Sequence, residues 1–484
     1  MKNKLQIYTT ISLSLITLII GFSITFFKTQ TLTSEEIGVL ALFSSIASIC
    51  NILGLFGFSQ SIIKYIPFFN NSDNKKTGFF LFSALVVFMF STFILIILSI
   101  FRTQIINIYD NSLFEQYFYG IYLIIIFSTF TLLIDSVFKI YNKPVISQMI
   151  TSIIKSFINI MILLAVLIFS LSFKVYFILY VGLLGITLAI QIIALLKVKI
   201  FVRPDFSFIN KRFIKTMFIF NSFMLFSGIT HLLNYQLDSL MIGSILTTVD
   251  VGVYSIVIVL GNLVGLSAQG LTRITHSSVS RYIQSGDFKG LEKEYKSIGD
   301  FQFLIGLLVF FGIILFSRSF LTFFGEQYSR AYLVAIIIGF GYLIDSLTSF
   351  CGGIIGYSNL YKLDIVLELF LLIGNIMLNF ILIPLLGING AAIATSLTLI
   401  LYNLIKVIVV NKKFRIHPFS LNNFKTIFSA LFAVTIIIVI NSFFSLQNLF
   451  IDLIIKAVIY LSFYAFGMYV QKYENQIIKF NRRK

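Results

Sequence analysis

Lys155 is the side chain around which any chemistry in this chain has to be arranged. It stands about nine residues into an apolar run, roughly 14 Å along a helix that rises 1.5 Å per residue, too deep for easy snorkelling. Gln148, Thr151 and Asn159 share its helical face at spacings of three, four and four. A polar stripe of that kind lines a wet cavity, where a fixed cation would meet an anion; the alternative is an ion pair that holds helices together. A second stripe, Ser227, His231, Asn234 and Asp238, repeats the pattern with hydroxyl, imidazole, amide and carboxylate groups. It could bind a hydroxyl-rich ligand, or hold a coupling H⁺ or Na⁺ through His231 and Asp238. The structural reading is a hydrogen-bonded seam between helices.

The remaining buried charges read as architecture or gating. Asp135 has Lys139 four residues on, a favourable helical pair, while Asp345 occupies the matching LIDS position of a second copy without that lysine. A shared structural role follows, with an inner-gate network as the functional alternative. Glu368, five residues into its apolar run, either pairs across helices or snorkels, and Asp452 with Lys456 forms a local structural pair. No P-loop, metal-ligand cluster or nucleophile motif is present, so ATP hydrolysis, a metal and an organic cofactor are not expected. Cys50 and Cys351 fall in separate apolar runs and read as packing residues.

The elements that must carry these residues are membrane-spanning helices. With 58% hydrophobic and 11% charged residues and a mean hydropathy of +0.98 over 484 positions, the composition is that of a polytopic membrane protein. Runs of about 20 apolar residues match a helix crossing about 30 Å of hydrocarbon and are too long for barrel strands. Fourteen spans are expected, near 6–27, 37–57, 78–100, 117–138, 146–170, 173–197, 216–241, 250–272, 301–321, 331–352, 363–384, 387–410, 424–444 and 449–470. The first lacks a small-residue cleavage site and reads as a retained span. With both termini inside, 29 of the 36 Lys and Arg residues lie on the cytoplasmic side and 5 outside, as the positive-inside rule requires. The net charge of +17 therefore reports topology and attraction to anionic headgroups. Nucleic acid is excluded as a partner, because the basic loops lack spaced aromatics and base-reading patterns.

The chain repeats itself. EIGV at 36–39 echoes DVGV at 250–253, KYI at 64–66 echoes RYI at 281–283, LIDS at 133–136 recurs at 343–346, and NIM at 159–161 recurs at 375–377. All four offsets fall between 210 and 217 residues, so they lie on one diagonal. Six spans return the chain to the same side, which makes the copies parallel repeats able to rock about a central path. The expected organisation is an N-lobe at 1–197, a cytoplasmic linker at 198–215, a C-lobe at 216–410, and two further spans with a basic tail at 411–484. On the NIM alignment the counterpart of Lys155 is Leu371, so the halves differ chemically at that position.

This six-plus-six-plus-two plan, the segment SEEIGVLALFSSIASICNILGLFGFSQSIIKYI, TTVDVGVYSI at 247–256 and PLLGINGAAIATS at 384–396 together resemble polysaccharide flippases of the Wzx type. These belong to the multidrug/oligosaccharidyl-lipid/polysaccharide exporter superfamily, with MATE antiporters and the MurJ lipid II flippases. The resemblance covers nearly the whole chain. It implies an all-α, MATE/MurJ-like transporter, not an enzyme, in the bacterial cytoplasmic (inner) membrane. Its partner would be an undecaprenyl-pyrophosphate-linked oligosaccharide, of O-antigen or another surface polysaccharide, moved to the periplasmic leaflet by alternating access. Membrane lipids surround it, and a polysaccharide polymerase with chain-length machinery would follow it. On this reading Lys155 contacts pyrophosphate and the Ser227 to Asp238 face contacts sugar or a coupling ion. Three rivals remain: a MATE-like cation-coupled drug antiporter, a lipid II transporter, and a membrane glycan polymerase.

Overall fold

A computed structural model describes residues 19–69, 72–141, 144–197, 203–266, 278–444 and 446–470, apart from the side chains of 144, 230–235 and 361. No strand occurs among the described residues. Eleven helices there are long and apolar enough to span a bilayer, and a bent pair, Tyr332–Thr348 with Phe350–Tyr357 at 50°, makes a twelfth. The first expected span lies largely outside the described residues; its end is the helical segment α1, 19–31. The expected seventh coincides with Lys211–Ile245, a single 35-residue helix.

Contacts divide the chain into two compact units, Met1–Gly252 and Val253–Lys484. The first contains α2 (Ser34–Leu55), α3 (Phe58–Tyr65), α4 (Asp73–Ile100), the short α5 (Arg102–Tyr109) and α6 (Ser112–Tyr117), and α7 (Gly120–Ile140). It continues with α8 (Pro144–Gln148), a π-helical turn over Met149–Ile154, α9 (Lys155–Ile168), α10 (Phe173–Lys197), α11 (Lys211–Ile245) and the first turn of α12 (Thr248–Asn262). Here α2 is central and packs on α4, α7 and α11, while α7 and α9 both pack on α10. The second unit contains α13 (278–285), α14 (Phe288–Leu321), α15 (Glu326–Arg330), α16 (Tyr332–Thr348), α17 (Phe350–Tyr357), α18 (Tyr361–Leu386), α19 (Ile388–Phe414), α20 (Leu421–Phe443) and α21 (Leu449–Val470). Its α16 and α18 both pack on α19, and α20 and α21 lie against α14. Thus α7 and α9 pack on α10 as α16 and α18 pack on α19.

Local sequence accounts for the ends of these helices. Thr33 and Glu36 cap α2 reciprocally, and Ser420 with Asn423 does the same for α20. The chain leaves α2 through Phe56 at φ 44° and Gly57 at φ 72°, two left-handed residues that separate α2 from α3. Phe58, Phe79 and Phe138 are fully buried in one core cluster, and Tyr295 and Phe350 stack in the core of the second unit. The basic stretch after Arg273 is partly helical, because α14 begins at Phe288 and carries a Lys296–Glu292 pair at 2.7 Å before entering its apolar part.

The linker is tied down. The Asp205 backbone N–H donates to the carbonyl of Asn74 at 3.0 Å, and Gly78 leaves room for it, since a Cβ there would come 2.2 Å from the Asp205 carbonyl oxygen. The Ser207 backbone N–H and hydroxyl both donate to the Asp205 carboxylate, holding its pKa below the usual value for an aspartate.

Candidate functional site: a cationic cavity in the first unit

Three helices of the first unit enclose a small cavity of about 50 Å³, room for a few waters. Ser128 and Thr131 reach it from α7, Thr151 from the π turn, Lys155 from the start of α9 and Thr187 from α10, with Phe127 and Leu184 completing the lining. The π turn is a local widening of the helix, a feature concentrated at functional sites. It directly precedes Lys155.

Three of the four hydroxyl protons around the cavity are already committed. Thr151 donates to the Ser147 carbonyl at 2.8 Å, Thr187 to the Leu183 carbonyl at 2.7 Å, and Ser128 to Asn51 Oδ1 at 3.0 Å. What these groups still offer is lone pairs, which suit ordered water or the lysine itself. Among the described residues no carboxylate lies within ion-pair distance of Lys155. Lys28, on α1, is close enough for the two ammonium charges to act on each other. Two half-buried cations with no acid within ion-pair distance among the described residues are costly unless an anion or water answers them. The site can therefore hold an anionic group.

Thr151 and Lys155 thus come together in one cavity, as their spacing requires. Gln148 and Asn159 extend the same helical face without lining it; Asn159 is buried, and its Oδ1 has no hydrogen-bond partner there. On α11, Ser227 is half-buried and Asp238 fully buried, whereas the side chains of His231 and Asn234 lie outside the described residues.

The two repeated aspartates are each held by a hydrogen-bond network. Lys139 pairs with Asp135 at 2.6 Å, Ser147 donates to its other oxygen at 2.5 Å, and Gln191 of α10 donates to Ser147 at 3.3 Å. In the second unit Asn403 of α19 donates directly to Asp345 at 3.0 Å. Gln191 and Asn403 sit 212 residues apart, on the diagonal of the repeat. The LIDS aspartate is therefore tied to an amide in both units, through Ser147 to Gln191 of α10 in the first and directly to Asn403 of α19 in the second.

Two charges escape a reading of the sequence. Lys28 falls just beyond the first apolar run and looks like a flank, yet the helix continues to 31. Lys406, also counted with a cytoplasmic flank, is only 6% exposed, eight residues or about 12 Å before the end of α19. Its Nζ lies 3.2 Å from the Tyr402 hydroxyl and 4.3 Å from that ring's centroid, with the charges of Asp345 and Asp364 acting on it. Gly352 admits it, because a Cβ there would stand 3.0 Å from Nζ. Asn403 and Tyr402, three and four residues before Lys406 on one helical face, were the available signal. Glu368 is half-buried on α18 and acts electrostatically on Tyr402. Lys456 and Asp452 form a buried pair at 2.6 Å, and both cysteines are buried free thiols.

Comparison with known proteins adds three findings. The family model described as polysaccharide biosynthesis protein matches residues 6–265. No curated protein sequence matches. Among solved structures, the lipid II flippase MurJ in an inward closed conformation superposes with a TM-score of 0.75 at 15% identity, covering 95% of this chain and 97% of that one. An inward-facing MATE-family multidrug resistance transporter of the MOP superfamily gives 0.62 at 16% identity over 82% and 94% of the two chains. The MATE multidrug transporter DinF-BH gives 0.56 at 17% identity over 82% and 92%. At these identities the likeness establishes a shared fold.

Proposed function

The chain belongs to the polysaccharide biosynthesis protein family, and on that premise we propose that it flips an undecaprenyl-pyrophosphate-linked oligosaccharide between the leaflets of the bacterial cytoplasmic membrane. The oligosaccharide is a repeat unit of O-antigen or of another surface polysaccharide, delivered by alternating access to a polymerase and its chain-length machinery. The polyprenyl tail stays in lipid while the sugar-pyrophosphate enters a polar path. Both termini face the cytoplasm, and the two repeats form the rocking lobes.

One observation carries this reading: Lys155, inside a membrane-spanning helix, lies in a cavity of hydroxyls with a second cation near and no carboxylate within ion-pair distance among the described residues. A cation left without an acid favours an anionic cargo such as a pyrophosphate. A path for cationic compounds would carry acids at that place. The Ser227 to Asp238 face supplies groups for sugar hydroxyls or for a coupling H⁺ or Na⁺.

The test is surface glycan in a strain lacking this chain and complemented with variants. Lys155→Ala is expected to abolish surface glycan at unchanged protein level, and Lys155→Arg to retain a substantial fraction because the charge survives. Full glycan display by Lys155→Ala would rule the assignment out.

A further inference from the structure

The repeated EIGV and DVGV segments play no part in the cavity, yet their glycines make the closest approaches to another backbone among the described glycines of the first unit. A Cβ on Gly38 would lie 1.8 Å from the Thr248 carbonyl oxygen, and a Cβ on Gly252 would lie 1.8 Å from the Ser34 carbonyl oxygen. The first turns of α2 and α12 therefore cross backbone to backbone, each through the glycine of its own copy of the repeat. At the crossing point the two backbones meet through glycine, with no side chain interposed between them. The crossing also sets two helix N-termini, the positive ends of two dipoles, against each other.

The acids at the crossing are unequally engaged. Glu36 closes the capping box of α2 by accepting the Thr33 N–H at 2.8 Å. Asp250 does the same on α12, accepting the Thr247 N–H at 3.2 Å and its hydroxyl at 2.7 Å. Glu35 instead turns to Asn111, in the connection between α5 and α6. The Asn111 amide donates to Glu35 Oε1 at 2.6 Å and to Thr248 Oγ1 at 2.9 Å, bridging the two crossing helices. Its carbonyl oxygen meanwhile caps α6 by accepting the Phe114 N–H at 2.9 Å.

We propose that Asn111 is the latch of a gate on the outward side, formed by the crossing first turns of α2 and α12. With no side chain interposed at the crossing and like dipole ends opposed, the Asn111 bridge is a side-chain tie between the two first turns, and breaking it favours their separation. The side follows from the positive-inside count, which places the beginnings of both helices outside. The inference rests on the alternating-access part of the proposed function and is independent of the cargo.

Val251, fully buried beside Gly252, reports opening when replaced by cysteine in a chain with Cys50→Ser and Cys351→Ser. The purified chain in proteoliposomes is treated with a membrane-impermeant maleimide, and the labelling rate is read without substrate. Asn111→Ala is expected to raise that rate about tenfold, the effect of losing a charge-assisted hydrogen bond. Asn111→Asp, which keeps the α6 cap but not the amide donor, should do the same. Glu35→Ala should match Asn111→Ala, and the double variant should add little, since both remove one interaction. An unchanged rate in a variant that remains monodisperse overturns the proposal. So does fast labelling by Asn111→Ala with slow labelling by Asn111→Asp, which would assign the effect to the cap, and so does full additivity of Asn111→Ala with Glu35→Ala. A mistaken cargo would leave all these rates as expected while the glycan assay failed.

Discussion

At the scale of single residues, the two buried lysines behave as opposites. Lys155 has hydroxyls around it and no acid in reach among the described residues, which is why its charge is the one proposed to meet a ligand. Lys406 has Tyr402 within hydrogen-bond distance and feels Asp345 and Asp364, which makes its charge part of the second unit's interior. Removing one member of such a buried set leaves the others uncompensated, at a cost of about 3 kcal/mol. Lys406→Ala should therefore lower the thermal unfolding midpoint in detergent markedly, and pairing Lys406→Met with Asp345→Asn should restore part of it. A Lys406→Ala chain as stable as the parent would show that the lysine does not balance the acids. The sequence displayed both lysines, but only Lys155 is far enough from any charged flank to be singled out.

At the scale of elements, α20 is the clearest case of a helix placed by one side chain. Asp300 of α14, 5% exposed, accepts from the hydroxyl of Ser420, the N-cap residue of α20, and from the amides of Asn422 and Asn423 at 3.0 Å each. A carboxylate at a helix N-terminus also satisfies its dipole. The tyrosines of α21 complete the attachment: Tyr460 and Tyr464 donate to the Leu308 and Leu304 carbonyls of α14 at 2.9 and 2.8 Å. Asp300→Ala is expected to cost about 1–3 kcal/mol and to fray the start of α20. Trypsin should then cleave at Lys425 several-fold faster, while cleavage at Arg330 in α15 stays unchanged; equal rates at Lys425 would mean that the network is dispensable. The capping signature of Ser420 and Asn423 is legible in the sequence, whereas Asp300, 120 residues earlier, carries no local sign that it serves α20.

At the scale of the whole chain, charge asymmetry and repeat give separate lines of argument for one topology. Alkaline phosphatase fused within 101–116 should be active, because that connection is expected outside, and the same reporter fused at Pro204 should be inactive. The reverse pattern would invert the orientation and move the proposed gate to the cytoplasmic side. The packing of α7 and α9 on α10 and of α16 and α18 on α19 is the feature of the structure that a six-helix repeat would have to reproduce.

Sequence alone determined the helical class, the approximate boundaries of the spans that fall on described residues, and the shared face of Thr151 and Lys155. Each of these is set by hydropathy over some 20 residues or by the 3.6-residue period, both properties of a short stretch of chain. Tertiary structure decided what stands across from each group: Asn403 against Asp345, Tyr402 and Gly352 around Lys406, Asn111 between Glu35 and Thr248. Apart from the Lys406 and Tyr402 pair, those partners are far apart in the chain, and helix packing brings them together, which no local pattern encodes. The glycines of EIGV and DVGV show the division most plainly, since the repeat is visible in the sequence and the reason for glycine appears only where two backbones cross.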